Sequence, residues 1–161
     1  MTTDYKIRPA EQRDLETLVT FTLQEAKETE GTEPDHSAVR LGVQAGLQAS
    51  GLSSYWVAES AGHVVGSISV VTEWSNFRGG YYWWVQSLFI LPRHRGRGLV
   101  DVLLAFVANA ARLAGALDLR LYVLQTNGRA IAAYHRCGFS DMPYTIMVRR
   151  LETTGVADID R

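Results

Sequence analysis

Apolar positions along this 161-residue chain change their spacing several times, and each change marks an element. Tyr5 to Pro9 reads as a short first strand. Leu15, Leu18, Val19, Leu23 and Ala26 then recur every three or four residues, the spacing of one buried helix face, with Asp14 placed to cap its start. The acidic stretch from Glu28 to Asp35, broken by Gly31 and Pro34, predicts a loop. Val39, Val43 and Leu47 predict a second helix from about Ser37 to Ala49, ended by Gly51. Tyr55 to Glu59 and Val64 to Trp74 predict a hairpin around Ala61-Gly62. Beyond a polar connection closed by Gly80, Tyr81 to Leu91 is the longest aromatic and β-branched run, expected to be the central strand.

In the second half, Leu99, Val102, Leu103, Phe106, Val107 and Ala110 return to helical spacing. Leu119 to Leu124 predicts a strand, Arg129 to Arg136 a short helix, and Phe139 to Leu151 one or two closing strands. The polar tail from about residue 152 is expected to be loose. No internal repeat or low-complexity segment interrupts this order, so one domain over residues 1–161 is expected.

The junction between the run ending at Leu91 and the helix starting at Leu99 carries the chemistry. Arg93-His94-Arg95-Gly96-Arg97-Gly98 is a strand-to-helix turn in which two glycines let successive N–H groups converge. The helix N-terminus adds partial positive charge, and Arg93, Arg95 and Arg97 surround the spot, so a phosphate-bearing ligand is expected. It is not a triphosphate-binding loop, because no Gly-Lys-Ser/Thr follows Gly98. A dinucleotide fingerprint would want a third glycine where Asp101 stands, and its ribose-binding acid is represented only by Asp118, which precedes its strand.

Composition narrows the ligand further. The formal net charge of −1 gives no general attraction to nucleic acid, so the three arginines form a local site. One cysteine, Cys137, precludes an intrachain disulfide, and the N-terminus lacks a signal-peptide pattern; a cytoplasmic location is expected. No apolar run approaches the roughly 20 residues that span a bilayer, so no membrane is expected. His36, His63, His94 and His135 have no metal-ligand spacing, and no metal is expected. Cys137 itself is expected to be a small buried hydrophobe.

Downstream, Asn127, Ala130, Tyr134 and Gly138-Phe139 form a second signature after the Leu119 strand. Taken with Arg93, Gly96 and Gly98, the chain resembles the GNAT superfamily of N-acetyltransferases over nearly its whole length. The resemblance implies an α+β fold, with a mixed, mostly antiparallel sheet flanked by helices and a splayed central strand pair. It also implies acetyl-CoA as acyl donor, and a homodimer. Val100, where many members have Gly or Ala, departs from the pattern and is expected to crowd the first helical turn.

In the resembling family, the strand before the turn binds the pantetheine arm and acetyl carbonyl through its backbone, which maps here onto Leu88, Phe89 and Ile90. That role needs an N–H the sheet leaves unpaired, so the strand starting at Leu119 should diverge from the one ending at Leu91. The amides from Gly96 to Leu99 would hold the diphosphate, with Arg93, Arg95 and Arg97 in reach. Tyr134 would protonate the leaving thiolate; a core-anchor role suits it as well. Asn127 is equally suited to coenzyme contact and to capping the helix it precedes. The general base is the weak link: Tyr81-Tyr82-Trp83-Trp84 holds no carboxylate, which leaves Glu73 as the nearest candidate.

Trp74, Tyr82 and Trp84 are candidate substrate contacts, since aromatic faces attract ammonium groups and the acidic stretch could guide a cation toward them. Core packing accounts for at least half of the local aromatics. The expected activity is acetyl transfer to a primary amine on a small molecule. A protein amine as acceptor, or a non-catalytic acyl-CoA sensing module, are the alternatives.

Overall fold

Five strands lie side by side in chain order: β1 (Lys6–Pro9), β2 (Ser54–Ser60), β3 (His63–Ser75), β4 (Gly80–Ile90) and β5 (Leu119–Leu121). The computed structural model describes residues 4–49 and 51–151, so the tail expected to be loose from about 152 lies outside the described residues. The first four strands pair antiparallel and β5 joins β4 parallel, which gives the mixed, mostly antiparallel sheet the sequence predicts. The middle strand is β3, which is also the longest at 13 residues; β4 stands one place off centre, between β3 and β5.

Helices α1 (Leu15–Glu30) and α2 (His36–Gln48) cover one face, where Leu15, Leu18, Val19, Val43 and Val57 form a core. Helix α3 (Leu99–Leu113) packs on the other face through Leu99, Leu103, Leu104 and Val107, against Ile68, Val70, Val85 and Ile90. Each such side chain contributes about 1.5–3 kcal/mol of burial. The buried stripe of α3 differs from the predicted one: Val102 and Phe106 are 44% and 37% exposed. The sheet touches the 99/103/107/111 line with Leu104, and those two residues flank it. Helix α4 (Gly128–Arg136) lies on the α3 side, where Tyr134 and Phe139 pack against the same core.

Three expected boundaries move. Helix α1 runs through Glu30 and stops at Gly31, whose φ of 65° is left-handed, so Glu28 and Glu30 are helical and the loop shrinks to residues 31–35. Asp14 makes no cap bond to α1; it accepts two hydrogen bonds from the Arg8 guanidinium and one from Glu11 N–H, tying β1 to the helix entry. Residues 139–151 form no strand. Pairing along β5 stops at Leu121, so β5 offers this stretch no continuing ladder.

Two departures from regular pairing shape β4. Ser69 faces Ser87 while Val70 faces Val85, so Gln86 is an extra residue that bulges from the ladder. Trp83 N–H donates to Asp118 O on the β5 side, whereas Leu91 N–H donates to Val65 O on the β3 side. The bulge therefore switches which amides face which neighbour, and Leu88 and Ile90 turn their N–H groups away from β3. On that side β5 has already ended, its last partner being Val85. The sheet splays where the sequence requires it to, and the edge of β4 from Gln86 to Ile90 is open.

Candidate active site

The turn after β4 has the conformation its glycines suggest. Gly96 and Gly98 have φ of 71° and 80°, and a Cβ on Gly96 would meet nothing within 4 Å. The glycines serve conformation and leave the approach to the α3 N-terminus open. Leu99, fully buried, pins the first turn of α3, and the amides that begin a helix have no partner within it. Val100 packs against the α3-side core, which places its branched side chain in core space.

The three arginines divide. Arg95 Nε donates to Ile90 O at 2.8 Å, its NH2 pairs with Glu28 at 2.6 Å, and its guanidinium lies over the Phe89 ring. It bolts the turn to α1. Arg93 and Arg97 make no hydrogen bond or ion pair among the described residues. Partial burial, with the charges of those two arginines, holds the His94 imidazole below its ordinary pKa.

At the open edge of β4 sits a residue that sequence reasoning missed. The Glu25 carboxylate, reaching from α1, accepts a hydrogen bond from Leu88 N–H at 3.1 Å and another from the Ser87 hydroxyl. Burial pushes its pKa up, against the lowering effect of those two bonds. The available signal was position: Glu25 falls seven residues past Leu18, on the buried line of α1.

Tyr134 comes to the same region from the opposite face of the sheet. It packs edge-to-face on Phe139 at 5.9 Å, and burial, then the charge of Glu25, raise the phenol above its usual pKa. Asn127 caps α4, its Oδ1 accepting from Ala130 N–H at 3.1 Å. Cys137 is only half-buried. Its Sγ donates to Asp101 Oδ1 at 3.0 Å, linking α4 to the start of α3, and burial with that carboxylate pushes the thiol up to about 11. It is a tether between helices, and no nucleophile at neutral pH.

Two cavities open on the α1 side of the sheet. The larger, about 500 Å³, is walled by α1, α2 and strands β2 to β4, with Glu25, Glu30, Tyr55, Ser69 and Ser87 among its lining. Ser69 Oγ is buried there without a hydrogen-bond partner. The smaller, about 320 Å³, is lined by Glu73, Trp84 and Tyr122. Val71 and Gln86 border both, so the bulged residue stands between them.

Of the three aromatic substrate candidates, Trp84 borders one of these two cavities, and Trp74 and Tyr82 border neither. Its Nε1 donates to Glu73 at 2.6 Å and its ring stacks on Tyr122 at 4.5 Å. Tyr82 is buried behind it, with Arg120 3.5 Å above its ring and Ser75 accepting from its hydroxyl. Trp74 is exposed and meets Tyr81 at the far end of the β3–β4 hairpin. No group of three or more metal-ligating side chains occurs among the described residues.

The splayed mixed sheet with a glycine turn feeding a helix N-terminus is the α+β arrangement that the family resemblance implies, and the comparisons show the family. Residues 16–139 match the acetyltransferase (GNAT) family, so the chain belongs to that family. A possible acetyltransferase from Clostridium difficile 630 superposes with a TM-score of 0.86 at 30% identity, over 92% of this chain and 98% of that one. The aminoglycoside N-acetyltransferase AAC(6')-Iy, solved with CoA, shares the fold at a TM-score of 0.76 and 19% identity, over 91% and 95%. In sequence, a streptothricin acetyltransferase from Streptomyces lavendulae is 41% identical over 56 residues, 35% of this chain and 30% of that protein. The N-acetyltransferase family 8 member 2 of Rattus norvegicus is 33% identical over 86 residues, 53% and 38%. The matched stretches thus span about a third of these two relatives' length.

Proposed function

We propose that this protein transfers the acetyl group of acetyl-CoA to a primary amine on a small molecule, by direct attack of the amine on the thioester. The observation that carries this is the open edge of β4: Leu88 and Ile90 amides without a strand partner, between a glycine turn suited to a diphosphate and a cavity of about 500 Å³. The amides from Gly96 to Leu99, with Arg93 and Arg97, hold the diphosphate; Arg95 fixes the turn. The β4 edge from Leu88 to Ile90 takes the pantetheine arm and acetyl carbonyl. Tyr134 protonates the leaving sulfur. Asn127 acts through its cap, holding α4 and hence Tyr134.

The small-amine reading is supported by the acidic lining of the larger cavity and by the streptothricin and aminoglycoside enzymes among the similar proteins. Trp84 and Glu73 line the smaller cavity, where the Trp84 ring is already stacked on Tyr122 with the Arg120 guanidinium 5.6 Å from its centroid. Within the cell we place the protein in the cytoplasm, as a homodimer of one-domain chains. No helix among the described residues is long and apolar enough to cross a membrane.

The test is thermal unfolding with and without acetyl-CoA, followed by release of CoA thiol with neamine, streptothricin and spermidine. Ligand at 100 times its Kd adds about 2.7 kcal/mol to stability, so a rise with acetyl-CoA and none with ATP is expected. Absence of a rise at millimolar acetyl-CoA overturns the proposal. The absence of a carboxylate in residues 81–84 of β4 favours the sensing module as second reading. A thermal shift without thiol release from any amine, or from a lysine peptide, decides for it.

A further inference from the structure

Resting on the acetyltransferase reading, we infer that Glu25 is the proton acceptor of the reaction and also guards the acyl site. In the free protein its carboxylate occupies the Leu88 N–H that the thioester carbonyl needs, and arrival of the donor releases it toward the amine.

The geometry supports both halves. Leu88 N–H points into the splay, where β5 has ended, and its hydrogen-bond acceptor is Glu25 Oε1 at 3.1 Å. A buried amide facing a slot must be satisfied in the free state, and a carboxylate on a neighbouring helix satisfies it reversibly. A carbonyl arriving at the same N–H displaces it. The displaced carboxylate still lines the 500 Å³ cavity, which opens at Ser87 and the bulged Gln86, beside the acyl position.

The surroundings suit a cation there. Glu30 faces Glu25 from the same helix, Tyr55 lines the cavity from β2, and Tyr134 approaches from α4. None of the cavity's described lining residues is basic, so two carboxylates are left without a cation, as an ammonium substrate requires. Ser69 Oγ, buried and unpartnered on the register mate of Ser87, offers a polar group on the same molecule its second contact. Burial also raises the basicity of Glu25, which favours proton capture. Glu73, by contrast, is engaged by Trp84 at 2.6 Å and lines the other cavity.

The step balances. One ammonium proton passes to a Glu25 oxygen, and the nitrogen lone pair forms the C–N bond at the thioester carbon. The carbonyl π pair moves to oxygen, held by Leu88 N–H. Its return breaks the C–S bond, the sulfur takes the Tyr134 proton, and the second nitrogen proton restores the phenol. Glu25 then loses its proton to solvent.

Calorimetric titration of wild type, Glu25→Ala and Glu25→Gln with acetyl-CoA and with CoA separates the possibilities. CoA lacks the acyl carbonyl, so Glu25→Ala should tighten acetyl-CoA about fivefold, the worth of one hydrogen bond, and leave CoA nearly unchanged. Equal changes for both ligands, or none, overturn the guard. With an amine accepted by wild type, Glu25→Gln should cut kcat about 100-fold at pH 7, the deficit shrinking above pH 9 as the amine arrives neutral. A pH-independent deficit, a pH-dependent one that follows Glu73→Gln instead, or acetyl-CoA binding with no amine turned over by wild type, overturns the base role. Wild type that binds no acetyl-CoA at all overturns instead the acetyltransferase reading on which this rests.

Discussion

Two residues, Glu25 and Tyr134, reach the splay from opposite faces of the sheet, and burial acts on both. It raises both pKa values, so the phenol keeps its proton through neutral pH, as its proposed role toward the leaving sulfur needs. Tyr134→Phe should lower kcat on the order of 10²-fold. It should leave acetyl-CoA affinity within about twofold, because the ring still packs on Phe139 and no diphosphate contact is lost. Stopped-time thiol release and calorimetry check the two parts; unchanged kcat across pH removes Tyr134 from the chemistry. The role of Tyr134 in the chemistry is the proposal made above; its position on α4 was legible because it follows the Asn127 signature by fixed spacing. Glu25 was not, because helical period reports which face a residue occupies and not what polar backbone group waits opposite. The amide it meets lacks a strand partner because the bulge at Gln86, two residues earlier in β4, reverses the direction of Leu88 where β5 has already ended.

At the scale of elements, the turn and helix α3 act as one unit. Gly98 has a left-handed φ of 80°, and a Cβ there would find open space, with Asp101 Oδ2 at 3.9 Å the nearest atom. Gly98→Ala and Gly98→Asp should therefore share a conformational penalty of about 1 kcal/mol. They should differ in ligand binding: the aspartate sets a negative charge beside the diphosphate and should weaken acetyl-CoA at least tenfold, the alanine much less. Melting curves and titrations of both variants separate strain from charge, and equal affinities contradict the phosphate site. The order of elements up to α4 was legible, since most changes of apolar period fall within a residue or two of a real boundary, the end of α1 and the end of β5 being the exceptions. Strand β5 was overextended to Leu124 because Tyr122 and Leu124 continue the apolar pattern. Pairing there is limited by divergence from β4, and Tyr122 leaves the ladder to stack on Trp84.

The same limit governs the whole molecule. Tyr144, Ile146, Met147, Val148 and Leu151 are exposed on a stretch without strand partners, and β5 keeps a free edge after pairing β4 on its other side. The sequence predicts strands over residues 139–151 because the residue types are right, but a strand also needs a ladder to join, and one chain leaves this one unmatched. The same exposed apolar segment on a second copy could cover it about a twofold axis, and on that ground we propose the homodimer. Light scattering coupled to size exclusion should therefore give twice the chain mass, and Ile146→Asp with Val148→Asp should give monomers that stay folded, since neither side chain contributes to the buried core. A wild-type protein that runs as a monomer at micromolar concentration would leave the segment without a second-chain partner and refute the dimer. If the doubly substituted monomer still binds acetyl-CoA, the donor site is complete within one chain, as the placement of Gly96, Gly98 and Leu88 in a single β4–α3 unit requires.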